Sequence, residues 1–260
     1  MNAGATASQQ SYLALNSHHV WKMVALLCMT LDHVGSYLLV DNLWLRAVGR
    51  MAFPIFLFLV GHALVYRVRR NTIYWAVGML LINPFLGNAV FPFNVLVTII
   101  GCQWLLAQVE QRDWFVRFPW TLVVGCVALW VPSVVFSEFG SIGFLYALMG
   151  YAVRSGKINS VAGYAVTTLA FAGLLGGMSL TYDFTMLQML VATLGVTLVT
   201  ILLVNFTHRP VAWVGVPDWA KHVGYFLSRH SMQYYVLHRL ILQAIGTATG
   251  VLNTTFRWIQ

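Results

Sequence analysis

The chain has 260 residues, of which 59% are hydrophobic and only 8% charged, where a soluble domain has roughly 45–50% apolar and about 25% charged residues. With a mean hydropathy of +0.75, these values exclude a disordered chain, a coiled coil and an ordinary soluble enzyme. The net charge of +8 is then expected to set membrane topology rather than to bind nucleic acid.

The expected fold is all-α, a polytopic membrane helix bundle. The apolar runs are continuous and lack the alternation of barrel strands. Residues 1–19 read as a polar cytoplasmic tail without the basic region of a cleavable signal, so the first helix is expected to remain as an anchor. A single transmembrane domain is expected over residues 20–252. At roughly 20 residues per crossing, about nine apolar segments mark it, near 20–40, 46–66, 72–87, 90–108, 119–136, 141–153, 160–179, 185–205 and 225–251. The third and sixth are short and read as tilted or partly re-entrant. Between the last two, residues 208–224 mix Arg209, Pro210, Trp213, Pro217, Trp219, Lys221 and His222, which predicts an interfacial cytoplasmic segment. Residues 253–260 are expected to form a short C-terminal tail. Cys28, Cys102 and Cys126 lie inside apolar runs with no C-x-x-C spacing, so neither a metal site nor a disulfide framework is expected.

Basic residues decide the orientation. Arg67, Arg69 and Arg70 follow the second segment, Arg112 and Arg117 the fourth, and Arg154 and Lys157 the sixth. Arg209, Lys221 and Arg229 lie between the eighth and ninth. The alternate loops hold Asp41, Glu138 and Asp183. The positive-inside rule therefore places the N-terminus in the cytoplasm and the C-terminus on the far side.

A charge at the centre of a span costs about 2.5–3.5 kcal/mol on insertion scales, so the few intramembrane ionisable groups carry most of the information. The first segment holds Lys22, Asp32 and His33. Eleven residues separate Lys22 from His33, which puts them on nearly one helix face and roughly 16 Å apart. Asp32 and His33 either pair across helices to fix packing or do chemistry. In the second segment Arg46 and Arg50 lie one turn apart on one face. Pro54 has no N–H for the Arg50 carbonyl, and Gly49 allows close approach of a helix or a ligand. Arg46 reads as snorkelling to the interface, while Arg50 is expected to pair with Asp32 or an anionic ligand. The last segment carries His230, Tyr234 and His238 at four-residue spacing, followed by Arg239. His238 falls at a depth similar to that of His33. It is either a packing histidine or a partner in chemistry, and His62 reads as structural.

The run Lys22-x-x-Ala25-x-x-x-Met29-x-x-Asp32-His33, then Leu45-Arg46-x-x-Gly49-Arg50-x-Ala52-Phe53-Pro54-x-Phe56, resembles the TraX family of conjugative pilin acetylases. Tyr235-x-x-His238 is similar to that family's C-terminal end. The Lys22-x10-His33 spacing also resembles the signature of the wider membrane acyltransferase-3 superfamily. The resemblance implies acetyl-CoA as donor, the N-terminal amine of a processed pilin subunit as acceptor, and a multi-pass place in the bacterial inner membrane, in contact with the lipid bilayer. His33 is the natural base for such a transfer, because an imidazole titrates near neutrality. Asp32 either orients His238 or holds the substrate ammonium. Arg50 stabilises the oxyanion or neutralises Asp32. Lys22, Arg67, Arg69 and Arg70 are placed to attract CoA phosphates, with Arg46 grouped among the donor-binding candidates. No metal is expected. Two competing classes, a proton-coupled transporter and a non-enzymatic pilin assembly or chaperone subunit, would also place Asp, His and Arg inside the bundle.

Overall fold

The computed structural model describes residues 16–40, 42–86, 91–211 and 215–252. Asp41, Trp213 and residues 1–15 and 253–260 of the expected tails lie outside the described residues. Among the described residues the fold is all-helical, with only two isolated β-bridges, Asn16 with Pro210 and Phe93 with Ser137. In chain order the helices are α1 (Ser17–Tyr37), α2 (Leu43–Gly49), α3 (Ala52–Gly61), α4 (Arg70–Ile82), α5 (Val95–Gln111), α6 (Trp114–Arg117), α7 (Pro119–Ala128), α8 (Trp130–Phe136), α9 (Gly140–Arg154), α10 (Val161–Thr181), α11 (Met186–Val204), α12 (Asp218–Arg229) and α13 (Ser231–Ala248). Several begin at side chains able to accept from orphan backbone N–H groups. Asn16 accepts from His19 N in a capping box, and Thr185 and Gln188 form another at α11.

The centre is the pair α3 and α9. Every residue from Ile142 to Ala152 is buried, so α9 is apolar all round because it is enclosed by other helices. A Cβ added at Gly61 or Gly150 would overlap the backbone of Ala147 or Phe58. The two helices therefore touch backbone to backbone, which only glycine permits. Helix α1 packs on α2, α3, α12 and α13, and this arrangement brings its ionisable side chains to theirs.

Three helical stretches are long and apolar enough to cross a membrane: Leu43–Gly61, Val161–Thr181 and Met186–Val204. The bent pair α7 and α8, broken by 61°, makes a fourth if it forms one span. By this measure the described residues show three or four candidate spans rather than clearly nine. The difference has physical causes. Helix α1 has 21 residues, but Lys22, Asp32 and His33 lower its hydropathy, and the expected segment 141–153 is the enclosed α9.

The segment expected at the interface divides in two. Around Arg209 the chain is extended and fastens the start of α1, with Ser17 N donating to Arg209 O at 2.9 Å. From Asp218 it forms the amphipathic α12, with Gly224 and Ser228 buried and Trp219, Val223 and Phe226 exposed. Lys221 donates to Asp218 at 2.9 Å and holds that carboxyl below its ordinary range. The amphipathic helix runs to Arg229, so the last apolar helix begins at 231 rather than 225.

Candidate active site

Asp32 is the hub of the first cluster. It is buried on α1, and Arg50 forms an ion pair with its carboxylate while Arg46 Nε lies 3.5 Å from Oδ1. Both arginines come from α2 and its end. Pro54 offers no N–H to the Arg50 carbonyl, and the helix breaks at Arg50 and Met51. Gly49 makes the approach possible, since a Cβ there would lie 2.7 Å from Asp32 Cα. Arg46 Nη1 donates to Ser36 Oγ at 3.0 Å and Nη2 to the Tyr182 hydroxyl at 3.0 Å. Arg50 Nη1 donates to the same hydroxyl at 2.7 Å. Both guanidinium carbons lie over the Tyr182 ring, at 4.8 and 5.0 Å from its centroid. One tyrosine thus holds both arginines against one carboxylate.

The second cluster joins the histidines of α1 and α13. His33 Nδ1 lies 2.7 Å from His238 Nε2, and His238 Nδ1 lies 2.6 Å from the Tyr234 carbonyl. A carbonyl only accepts, so His238 Nδ1 carries its proton and, in the neutral ring, Nε2 is an acceptor. His33 Nδ1–H must then be the donor between the rings. The neutral His33 is left with a lone pair on Nε2, the form a general base requires. Tyr234 is itself fixed. Thr30 Oγ1 uses its proton on the Leu26 carbonyl, so the Tyr234 hydroxyl donates to Thr30 Oγ1 at 2.9 Å.

Around His33 stand Tyr37 and Tyr235, with ring centroids at 5.7 and 5.9 Å. Buried Arg239 binds both, through Nε to the Tyr37 hydroxyl at 2.8 Å and Nη1 to the Tyr235 hydroxyl at 2.9 Å. Among the described residues no carboxylate lies within 4 Å of Arg239. Glu138, expected in an external loop, turns inward. Its Oε2 accepts from Val95 N at the start of α5 at 3.0 Å, and it lies within Coulombic range of Arg239, Arg50 and Asp32.

The sequence-derived candidates therefore fall into three places. Asp32, Arg46 and Arg50 form one network and His33 and His238 a second. Lys22 lies apart, with Nζ 3.5 Å from the Ser228 carbonyl of α12. Arg67, Arg69 and Arg70 are exposed and line a cleft of about 530 Å³ with Val65 and Val68. Arg46, grouped by sequence with the donor-binding residues, lies in the Asp32 network. Tyr182, Tyr37 and Tyr235 were not singled out for these roles. Tyr182 falls between two apolar segments, where nothing local marks it. Arg239 carried a signal, a charge in an apolar helix beside His238, and Tyr235 lies four residues before it. Among the described residues no group of His, Cys, Asp and Glu could hold a metal ion.

The family model described as TraX protein matches residues 17–245. An uncharacterized protein of Rickettsia prowazekii (strain Madrid E) is 23% identical over 145 residues, 55% of this chain and 58% of the relative. Protein TraX of Escherichia coli (strain K12) is 30% identical over 117 residues, 43% of this chain and 46% of the relative. The chain thus aligns with about half the length of these curated relatives. No solved structure matches. Since the family match runs from the first turn of α1 almost to the end of α13 and takes in both clusters, the chain belongs to the TraX family.

Proposed function

We propose that the protein is a multi-pass acetyltransferase of the bacterial inner membrane that moves an acetyl group from acetyl-CoA to the N-terminal amine of a conjugative pilin subunit. The observation that carries this reading is the His33–His238 pair, whose hydrogen bonds leave a lone pair on His33 Nε2. Membership of the TraX family supports the substrate assignment. An attacking amine must be neutral, and His33 Nε2 takes the proton released as its nitrogen bonds to the thioester carbon. The Asp32–Arg50–Arg46–Tyr182 network holds α1 and α2 in register beside it.

The donor enters from the cytoplasm. In this topology the N-terminus is cytoplasmic, and Arg67, Arg69 and Arg70 meet the CoA phosphates. Lys22 stands on the same side, three turns and about 16 Å from His33 along α1, a distance that an extended pantetheine arm spans. The processed pilin presents its new amine from the far side, so the two substrates meet within the membrane.

The direct test is to incubate the purified protein with acetyl-CoA and a peptide carrying the pilin N-terminus, then measure the peptide's mass. A gain of one acetyl group is expected. His33→Ala should reduce that rate by about 10²–10⁴-fold, with membrane level and detergent stability retained. Full activity in His33→Ala would remove His33 as base and shift the assignment to His238. No transfer by the intact protein, with or without a proton gradient, would remove the acetyltransferase reading.

A further inference from the structure

We propose that the hydroxyls of Tyr37 and Tyr235, held by Arg239, form the oxyanion site of the transfer reaction beside His33. The proposal rests on the acetyl-transfer reading and adds to it a pair of catalytic side chains and a positioning residue.

Hydrogen-bond direction is the first argument. A phenol both donates and accepts, whereas a guanidinium only donates. In the bonds to Arg239 each tyrosine oxygen must therefore be the acceptor. Neither bond uses the phenolic proton, and no other hydrogen bond within the described residues takes it. Two O–H donors are thus left next to the base, on rings 5.7 and 5.9 Å from the His33 ring and, for Tyr235, 6.2 Å from that of His238. A phenol that accepts from a cation is also a stronger donor through its own proton.

Charge is the second argument. Arg46, Arg50 and Arg239 bring three positive charges to this region, and Asp32 and Glu138 bring two negative ones. One positive charge is in excess over the region, and Arg239, with Glu138 in Coulombic range, has among the described residues no carboxylate within ion-pair distance. A buried cation whose direct contacts are all neutral is costly. The reaction supplies one at the moment it matters, because attack of a neutral amine on a thioester puts a negative charge on the carbonyl oxygen. Arg50, which from sequence either stabilises the oxyanion or neutralises Asp32, is engaged by Asp32 and Tyr182.

The amine nitrogen bonds to the thioester carbon, and the carbonyl π pair moves onto oxygen, which accepts from the two phenols. The nitrogen's proton passes to His33 Nε2. The tetrahedral intermediate then re-forms its carbonyl, the C–S bond breaks, and the CoA thiolate takes the proton from His33. The products are an N-acetyl amide and CoA thiol.

Two measurements on the full chain in detergent test the proposal. In the transfer assay, Tyr37→Phe and Tyr235→Phe should each lower kcat by about 10²-fold, the usual loss for one oxyanion donor, with KM for acetyl-CoA unchanged. Arg239→Lys should retain more activity than Arg239→Gln. In the binding assay, a methyl-ketone analogue of acetyl-CoA is compared with its trifluoromethyl-ketone analogue, which hydrates to a tetrahedral form. The intact protein should prefer the fluoroketone. Each Phe variant should lose that preference while binding the methyl ketone as before, which also shows that it is folded. Preference retained in both Phe variants would overturn the oxyanion pair. So would methyl-ketone binding that falls in step with folded protein, which would mark the tyrosines as structural. Equal binding of the two ketones by the intact protein would overturn it while the donor assignment stands. Binding of neither would remove the acetyl-CoA reading and this proposal with it.

Discussion

Gly49→Ala is the most local perturbation that the site offers. The added Cβ would lie 2.7 Å from Asp32 Cα and 2.8 Å from Asp32 N. These are backbone atoms of α1 and cannot rotate aside as a side-chain tip would. To reach ordinary contact at about 3.5 Å, α1 and α2 must separate by roughly 1 Å. Overpacking of this kind costs about 1–3 kcal/mol. The same movement draws Arg46 and Arg50 away from Asp32 and shifts His33, the next residue along α1. A 1 Å displacement of a reacting group costs about 10²-fold in rate, so activity should fall further than stability. The assay pairs acetyl transfer to the pilin peptide with the thermal midpoint in detergent. Gly125→Ala is the control, because an added Cβ there meets nothing within 4 Å and alanine is the better helix residue. If Gly49→Ala keeps both the rate and the midpoint of the parent, the close crossing at Asp32 is not what positions the site.

Asp32→Asn removes the charge and keeps the shape. It should destabilise by about 3–5 kcal/mol, the cost of stranding a buried partner charge, read as a lower thermal midpoint; an unchanged midpoint would refute the pairing with Arg50. Replacing Arg67, Arg69 and Arg70 together by Gln should raise KM for acetyl-CoA and weaken its salt dependence, with the fold intact. An unchanged KM would leave these arginines to topology alone. Reporter fusions after Arg70, Arg117, Lys157 and Lys221 should read cytoplasmic and those near Glu138 and Asp183 external. Opposite signals at two or more sites would overturn the orientation.

How far the sequence could be read depends on the range of each interaction. The Asp32–Arg50 pair was legible because both charges sit in apolar runs, where an unpaired one is too costly to keep. That the Arg50 carbonyl gets no N–H from Pro54 was legible, because a missing N–H acts four residues away; the break that follows at Arg50 and Met51 was not expected. Tyr182 was not, since it reaches Arg50 across 132 residues and no local pattern announces such a contact. Hydropathy had a different blind spot. It scores a helix enclosed by protein, such as α9, as it scores one facing lipid, because both are apolar on every side. The span count of about nine was therefore open to error where the tightest packing lies. Arg239 stands between these cases. Its charge was visible beside His238, but its meaning depended on what it touches, two neutral phenols rather than a carboxylate. In a chain with so few charges, an intramembrane arginine whose direct hydrogen bonds go to neutral phenols is the place to look for a negative charge supplied by a reaction.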